Sequence, residues 1–313
     1  MSNLIYNIIM SATRQTTPIL LAATGGAYSD RSGLANITLE ASMIIGCFFA
    51  VLGSYLGSSS WLGILFAIGV GIIVGGLFAF ICLYMGGNNT VVGISFALIA
   101  WGLTTFLLVA IYGTSGSFVS KEIVPIGKYT IPLISEIPII GGMFKNQTMI
   151  TYFSWFFVIF TRVLLYKTRI GMAIRACGEN PQAAATVGYS VRHIQFLCAV
   201  ITSVASALAG AHMSLGLVTM FTEKMTAGKG FIALAAATYG RTSLWKIVAI
   251  SFLFGVSDAI AILFKTYNYP SFLIQMIPYI IVVIFVAVDP AIKYFRDKKK
   301  RTFNDKETVS EVQ

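Results

Sequence analysis

The chain has 313 residues, of which 57% are hydrophobic and only 11% charged, with a mean hydropathy of +0.81. Soluble domains carry about 25% charged residues, so this composition excludes an ordinary water-soluble fold and makes lipid part of the solvent. The net charge of +10 does not point to nucleic acid, because seven of the 22 basic residues lie in the tail from Lys293 to Lys306 and five more (Arg162, Lys167, Arg169, Arg175 and Arg192) cluster around one internal loop. Basic tails and loops beside apolar runs follow the positive-inside pattern of membrane proteins.

In chain order, apolar segments fall at about 4–29, 33–57, 61–85, 89–112, 149–166, 194–217, 226–240, 245–264 and 271–289. The pattern predicts an all-α polytopic protein with about nine transmembrane segments in one domain, 1–290, followed by a basic cytoplasmic tail, 291–313. The first segment lacks a basic leader and an A-x-A site, and it reads as a span interrupted near Pro18. Segment 226–240 is too short to cross about 30 Å of hydrocarbon, so a broken or half-length helix is expected there. The basic residues place 167–193 and the tail in the cytoplasm and 113–147 outside, where Pro125, Pro132 and Pro138 stiffen it. The four cysteines share no metal or redox spacing and are expected as free thiols.

The stretch Tyr28–Glu40, YSDRSGLANITLE, opens with an acid–base pair that reads as a solvated turn, with Ser32 or Gly33 starting the next helix. Asn36 and Glu40, four apart, are expected on one helix face. A carboxylate beside an uninterrupted apolar run is costly unless it is paired or faces water, so Glu40 either ties helices together or lines a pathway. The same alternatives hold for Asp258, in the middle of FLFGVSDAIAILF, and no basic residue is expected at that depth. Gly33–Gly46 and Gly228–Gly240 both follow a polar break and open an apolar run, suggesting two inverted repeats separated by the fifth span.

Between Lys167 and Phe196 the chain is polar without being of low complexity. Pro181 is suited to begin a short helix that Gly188 ends in a left-handed turn, making a docking element flanked by Arg175 and Arg192. The sequence TAGKGF is no phosphate loop, because Glu223 stands where its first glycine is required and no Ser or Thr follows Lys229. No nucleophile elbow, metal cluster or catalytic carboxylate pair appears, so neither an enzyme nor a cofactor is expected.

At these same segments the chain resembles the branched-chain amino acid, sugar and nucleoside permease family of ABC importers, most closely its nucleoside and simple-sugar branch and the shorter permease of that branch. The resemblance runs from about Pro18 to Asp289 and rests on SDRSGLANITLEASMIIG, IPLISEIPIIGG, GMAIRACGENPQAAATVG, GKGFIALAAATYG and IPYIIVVIFVAV. Two positions depart from the family pattern, Ala41 where Gly is usual and Ala97 where Asn is usual. The resemblance implies a type II ABC importer permease fold in a bacterial cytoplasmic membrane. Its implied partners are a longer related permease, a separate ATP-binding subunit and an extracytoplasmic nucleoside-binding lipoprotein. The substrate pathway would use Asn36, Glu40, Asn88, Asn89 and Asp258, with Arg175, Glu179, Asn180, Pro181, Ala183, Ala184 and Gly188 coupling to the ATPase. A simple-sugar permease is the near alternative; an ion-coupled carrier using Glu40 and Asp258 is the more distant one.

Overall fold

The computed structural model describes residues 2–130, 145–265, 276 and 280. Ten α-helices are found among them: α1 (Ser2–Ser32), α2 (Leu39–Gly57), α3 (Ser60–Leu83), α4 (Asn89–Tyr112), α5 (Met149–Lys167), α6 (Arg169–Glu179), α7 (Pro181–Thr186), α8 (Val191–Ala211), α9 (Lys229–Tyr239) and α10 (Leu244–Lys265). A π-helical stretch, His212–Val218, continues α8. Six of the helices are long and apolar enough to cross a membrane: α2, α3, α4, α5, α8 with its π stretch, and α10. Segment 271–289 lies almost wholly outside the described residues. The chain up to Ala259 forms one compact unit, and Ile260 onward belongs to a second.

Within the first unit α8 is central, packing on α1, α2 and α3, while α2 also packs on α3 and α4. The apolar window of α2 is 83% buried and that of α4 only 22%. Glycine and alanine make the tight centre possible. A Cβ added at Gly46 would strike the backbone of Ala207, and one at Gly210 would strike the carbonyl of Met43. The α2 and α8 backbones are therefore in direct contact, as small residues allow in lipid. Outward faces of α3, α4 and α5 instead present Leu65, Ile73, Phe106, Phe156 and Ile159, all exposed as lipid-facing side chains would be.

Helix α1 is not interrupted at Pro18; it runs unbroken through that residue. Proline removes the N–H that would pair with the carbonyl of Arg14 four residues back. His212 Nε2 lies 3.3 Å from that carbonyl and supplies the missing donor. Its Nδ1 then accepts from Thr148 Oγ1 at 3.0 Å, and hydroxyl contacts continue through Thr151 to Thr17. The orphaned acceptor thus anchors the π stretch and α5 to α1.

The Asp30–Arg31 pair is no solvated turn. Arg31 is buried at the last turn of α1, where its Nη2 donates to Tyr166 Oη and to the carbonyls of Gly240 and Arg241. The next helix begins at Leu39 rather than at Ser32 or Gly33. Short antiparallel pairs, β1 (Ser117–Phe118) with β4 (Phe221–Thr222) and β2 (Lys128–Tyr129) with β3 (Gln147–Thr148), tie the 113–147 loop to the helix ends; Pro132 and Pro138 fall outside the described residues.

Candidate transport site at two meeting helix starts

Residues 34–37 are not helical, so Asn36 and Glu40 do not share a helix face. Asn36 Oδ1 accepts from the Thr38 N–H at 2.9 Å and the Thr38 hydroxyl at 2.6 Å, a local turn that competes with helix. Its amide donates to the Ala199 carbonyl and to Ser203 Oγ, fixing the connector against α8. The helix therefore starts only at Leu39, which puts Glu40 in its first turn.

Glu40 is fully buried and reaches the start of α9. Its Oε1 accepts from the Thr226 hydroxyl at 2.6 Å and the Gly228 N–H at 3.2 Å, while Oε2 accepts from the Gly230 N–H at 2.8 Å. Gly230 has no room for a side chain, because a Cβ there would collide with the Glu40 backbone. The 11 residues of α9 rise about 16 Å, half the hydrocarbon thickness. A half-length helix leaves N–H groups without internal partners at its start, and a carboxylate there satisfies them and complements the dipole.

Beside this junction Lys229 Nζ stands 2.6 Å from Asp258 Oδ2 and 3.2 Å from Gln15 Oε1. The expectation of no basic residue at that depth is thus corrected. The missed partner lies 29 positions away in sequence and is brought in by the break before α9. Both charged side chains keep a sixth of their surface accessible. Asn88 and Asn89 are not part of this cluster. Asn88 is exposed and caps α4 by accepting from the N–H groups of Thr90 and Val91, and Asn89 is the first residue of that helix.

The polar loop folds as α6 and α7. Asn180 caps α7 by accepting the Ala183 N–H at 3.0 Å, Pro181 is its first residue, and Gly188 turns left-handed at φ +96°. Ala184 packs inward, whereas Ala183, Ala185 and Val187 are exposed. Glu179 is exposed at the end of α6, and the Arg175 guanidinium lies 5.3 Å from the Tyr166 ring centre. Burial pushes the Cys177 thiol of α6 up from its ordinary range. No group of three or more His, Cys, Asp or Glu able to hold a metal occurs among the described residues.

Apolar helices with lipid-facing side chains around a small-residue centre, and a half-length helix tied in by a buried carboxylate, define a polytopic helical membrane protein. The chain belongs to the family described as branched-chain amino acid transport system / permease component, whose pattern matches residues 8–286. It is 31% identical over 297 residues to the nucleoside ABC transporter permease protein NupC of Lactococcus lactis subsp. cremoris, covering 91% of this chain and 93% of that one. It is 32% identical over 301 residues to the guanosine ABC transporter permease protein NupQ of Bacillus subtilis, covering 90% and 91%. A putative glucose ABC transporter permease protein of Haloferax volcanii is 28% identical over 257 residues, covering 80% and 76%. No solved structure matches the chain.

Proposed function

We propose that this chain is the membrane-spanning permease subunit of an ATP-driven importer and that it translocates nucleosides by alternating access. The similarity to NupC and NupQ over nine tenths of each chain carries the substrate class. In this proposal nine spans form two inverted repeats, α1–α4 and α8 onward, around α5. The opposed directions of α2 and α9 support it, since α9 ends at Gly240 beside Arg31 while α2 runs to Ser54, which bonds Val124.

The partners are a longer related permease, a separate ATP-binding subunit that docks on α6 and α7, and an extracytoplasmic nucleoside-binding lipoprotein that meets the 113–147 loop. The membrane is the bacterial cytoplasmic one. The end of the helices carrying Arg31, Arg162, Lys167, Arg169, Arg175, Arg192 and Arg241 is its cytoplasmic side, by the positive-inside rule. Exposed Ala183, Ala185 and Val187 support docking there, because small apolar groups on a capped helix give a groove something to close on.

An ion-coupled carrier loses support from the same geometry. Glu40 is occupied by three donors and Asp258 by Lys229, so neither presents an open ion-binding carboxylate. The deciding measurement is uptake into proteoliposomes holding the complete complex. ATP-dependent accumulation of guanosine, adenosine, cytidine or uridine is expected. Accumulation of glucose without any nucleoside would favour the sugar reading, and uptake driven by an ion gradient without ATP would overturn the importer.

A further inference from the structure

The ends of α1, α5 and α6 and the turn before α10 border a half-open cavity of about 220 Å3 lined by Arg31, Tyr166, Arg175, Gly178, Glu179 and Arg241. Three guanidiniums therefore converge on one small space. Two of them approach the same ring, Arg31 at 5.4 Å and Arg175 at 5.3 Å from the centre of Tyr166. Asp30 offsets one, lying 3.7 Å from Arg241, while Glu179 makes no ion pair with any of the three among the described residues. Arg31 is 94% buried, and although its Nη2 is fully engaged, its buried Nη1 has no hydrogen-bond partner. The buried Nε of Arg175 likewise has none. Two buried guanidinium nitrogens left without acceptors, Arg31 Nη1 and Arg175 Nε, beside a third guanidinium call for an oxyanion, and the planar fork of arginine matches phosphate in particular.

A second cavity, of about 410 Å3, adjoins the first across Tyr166 and is lined by Arg162, Val163, Lys167, Leu244 and Trp245. Trp245 is exposed, with the Arg162 guanidinium 5.0 Å over its ring. An exposed tryptophan flanked by basic residues at the end of apolar helices marks the headgroup level of a bilayer.

We infer that these adjoining cavities form a binding site for an anionic phospholipid, its phosphate held by Arg31, Arg175 and Arg241 and its glycerol and upper acyl chain lying over Val163, Leu244 and Trp245. Basic pockets between transmembrane helices bind acidic headgroups in this way. The site is separate from the Glu40 junction and independent of which solute is carried. Occupancy links α1, α5, α6 and the α10 turn at the foot of the loop that leads into α7.

The test is native mass spectrometry of the purified complex after equilibration with equal amounts of phosphatidylglycerol and phosphatidylcholine. Retention of phosphatidylglycerol in preference to phosphatidylcholine is expected. Either Arg241→Gln or Arg175→Gln is expected to weaken that retention about tenfold, the loss of one charge-assisted hydrogen bond. Arg241 is largely exposed, and unchanged melting of the lipid-free protein shows that either variant still folds. Equal retention of the two lipids, or no change in both variants, would overturn the site. Inorganic phosphate at millimolar concentration separates the sources: a lipid site keeps its phosphatidylglycerol, and displacement by phosphate would show a free-phosphate site instead.

Discussion

The backbone N–H of Gly230 donates to Glu40 Oε2 at 2.8 Å, so the first turn of one helix is capped by a side chain from the first turn of another. Two helix starts, each the positive end of its dipole, converge on a single carboxylate. The substitution Glu40→Gln keeps the shape but turns an amide NH2 toward one of three donors. It is expected to cost about 1–3 kcal/mol, the penalty for a buried unsatisfied donor, with Glu40→Leu costing more. Thermal unfolding in detergent, run beside an uptake assay, reads this. Normal stability and uptake in Glu40→Leu would sink the structural role.

Pro18 and His212 allow a sharper test, because the acceptor that His212 serves exists only through Pro18. In His212→Ala, the Arg14 carbonyl and the Thr148 hydroxyl both lose a partner, at about 1–3 kcal/mol. Pro18→Ala restores a backbone donor within α1, so His212→Ala should cost measurably less in that background. A double-mutant cycle on thermal stability measures the coupling, and additive effects would rule it out.

Lys229 and Asp258 should behave as a pair. Removing either partner alone leaves a charge in an apolar setting, a change that typically destabilises more than removing both. Expression and detergent stability of Lys229→Met and Asp258→Leu are expected to fall, with the double variant partly recovering. Singles indistinguishable from the parent would show that the pair is incidental.

Ala183 and Ala184 separate docking from folding. Ala183→Arg places a bulky charge on the exposed side of α7 and is expected to release the ATP-binding subunit while leaving the membrane fold intact. Ala184→Arg points into the chain's own packing and is expected to disturb α7 itself. Co-purification reports the first and limited proteolysis of the loop reports the second. Retention of the ATP-binding subunit with full transport in Ala183→Arg would remove α7 from coupling.

Sidedness follows from thiol labelling. With Cys82 replaced and Cys47, Cys177 and Cys198 buried, Lys121→Cys is expected to react with an impermeant maleimide in intact cells. Gln182→Cys is expected to react only after permeabilisation. The reverse result would invert the topology. Cys177 should stay silent at neutral pH, because burial raises its pKa and keeps the reactive thiolate scarce.

Much of the architecture is legible in the residues. The span 89–112 coincides with α4, since a run flanked by Asn88 and Gly113 has a capping side chain at one end and a left-handed glycine at the other. Pro181 and Gly188 bound α7 for similarly local reasons. What periodicity does not reveal is pairing through space. The connector before α2 is lost because Asn36 prefers its own turn to a helical bond, and a spacing of four then says nothing about facing. Lys229 looked like part of a failed phosphate loop, while the acid it neutralises sits in another helix. Arg31 looked like half of a surface turn, yet its three acceptors come from α5 and the turn after α9.

Backbone contact between α2 and α8, through Gly46 and Gly210, has a mechanical consequence. Where main chain rests on main chain there are no long side chains to slide or repack, so the two helices cannot shear past one another without separating. They act as a strut. Relative motion of the helices falls instead to the less deeply buried α4 and α5. The centre of this bundle is thereby its most rigid part.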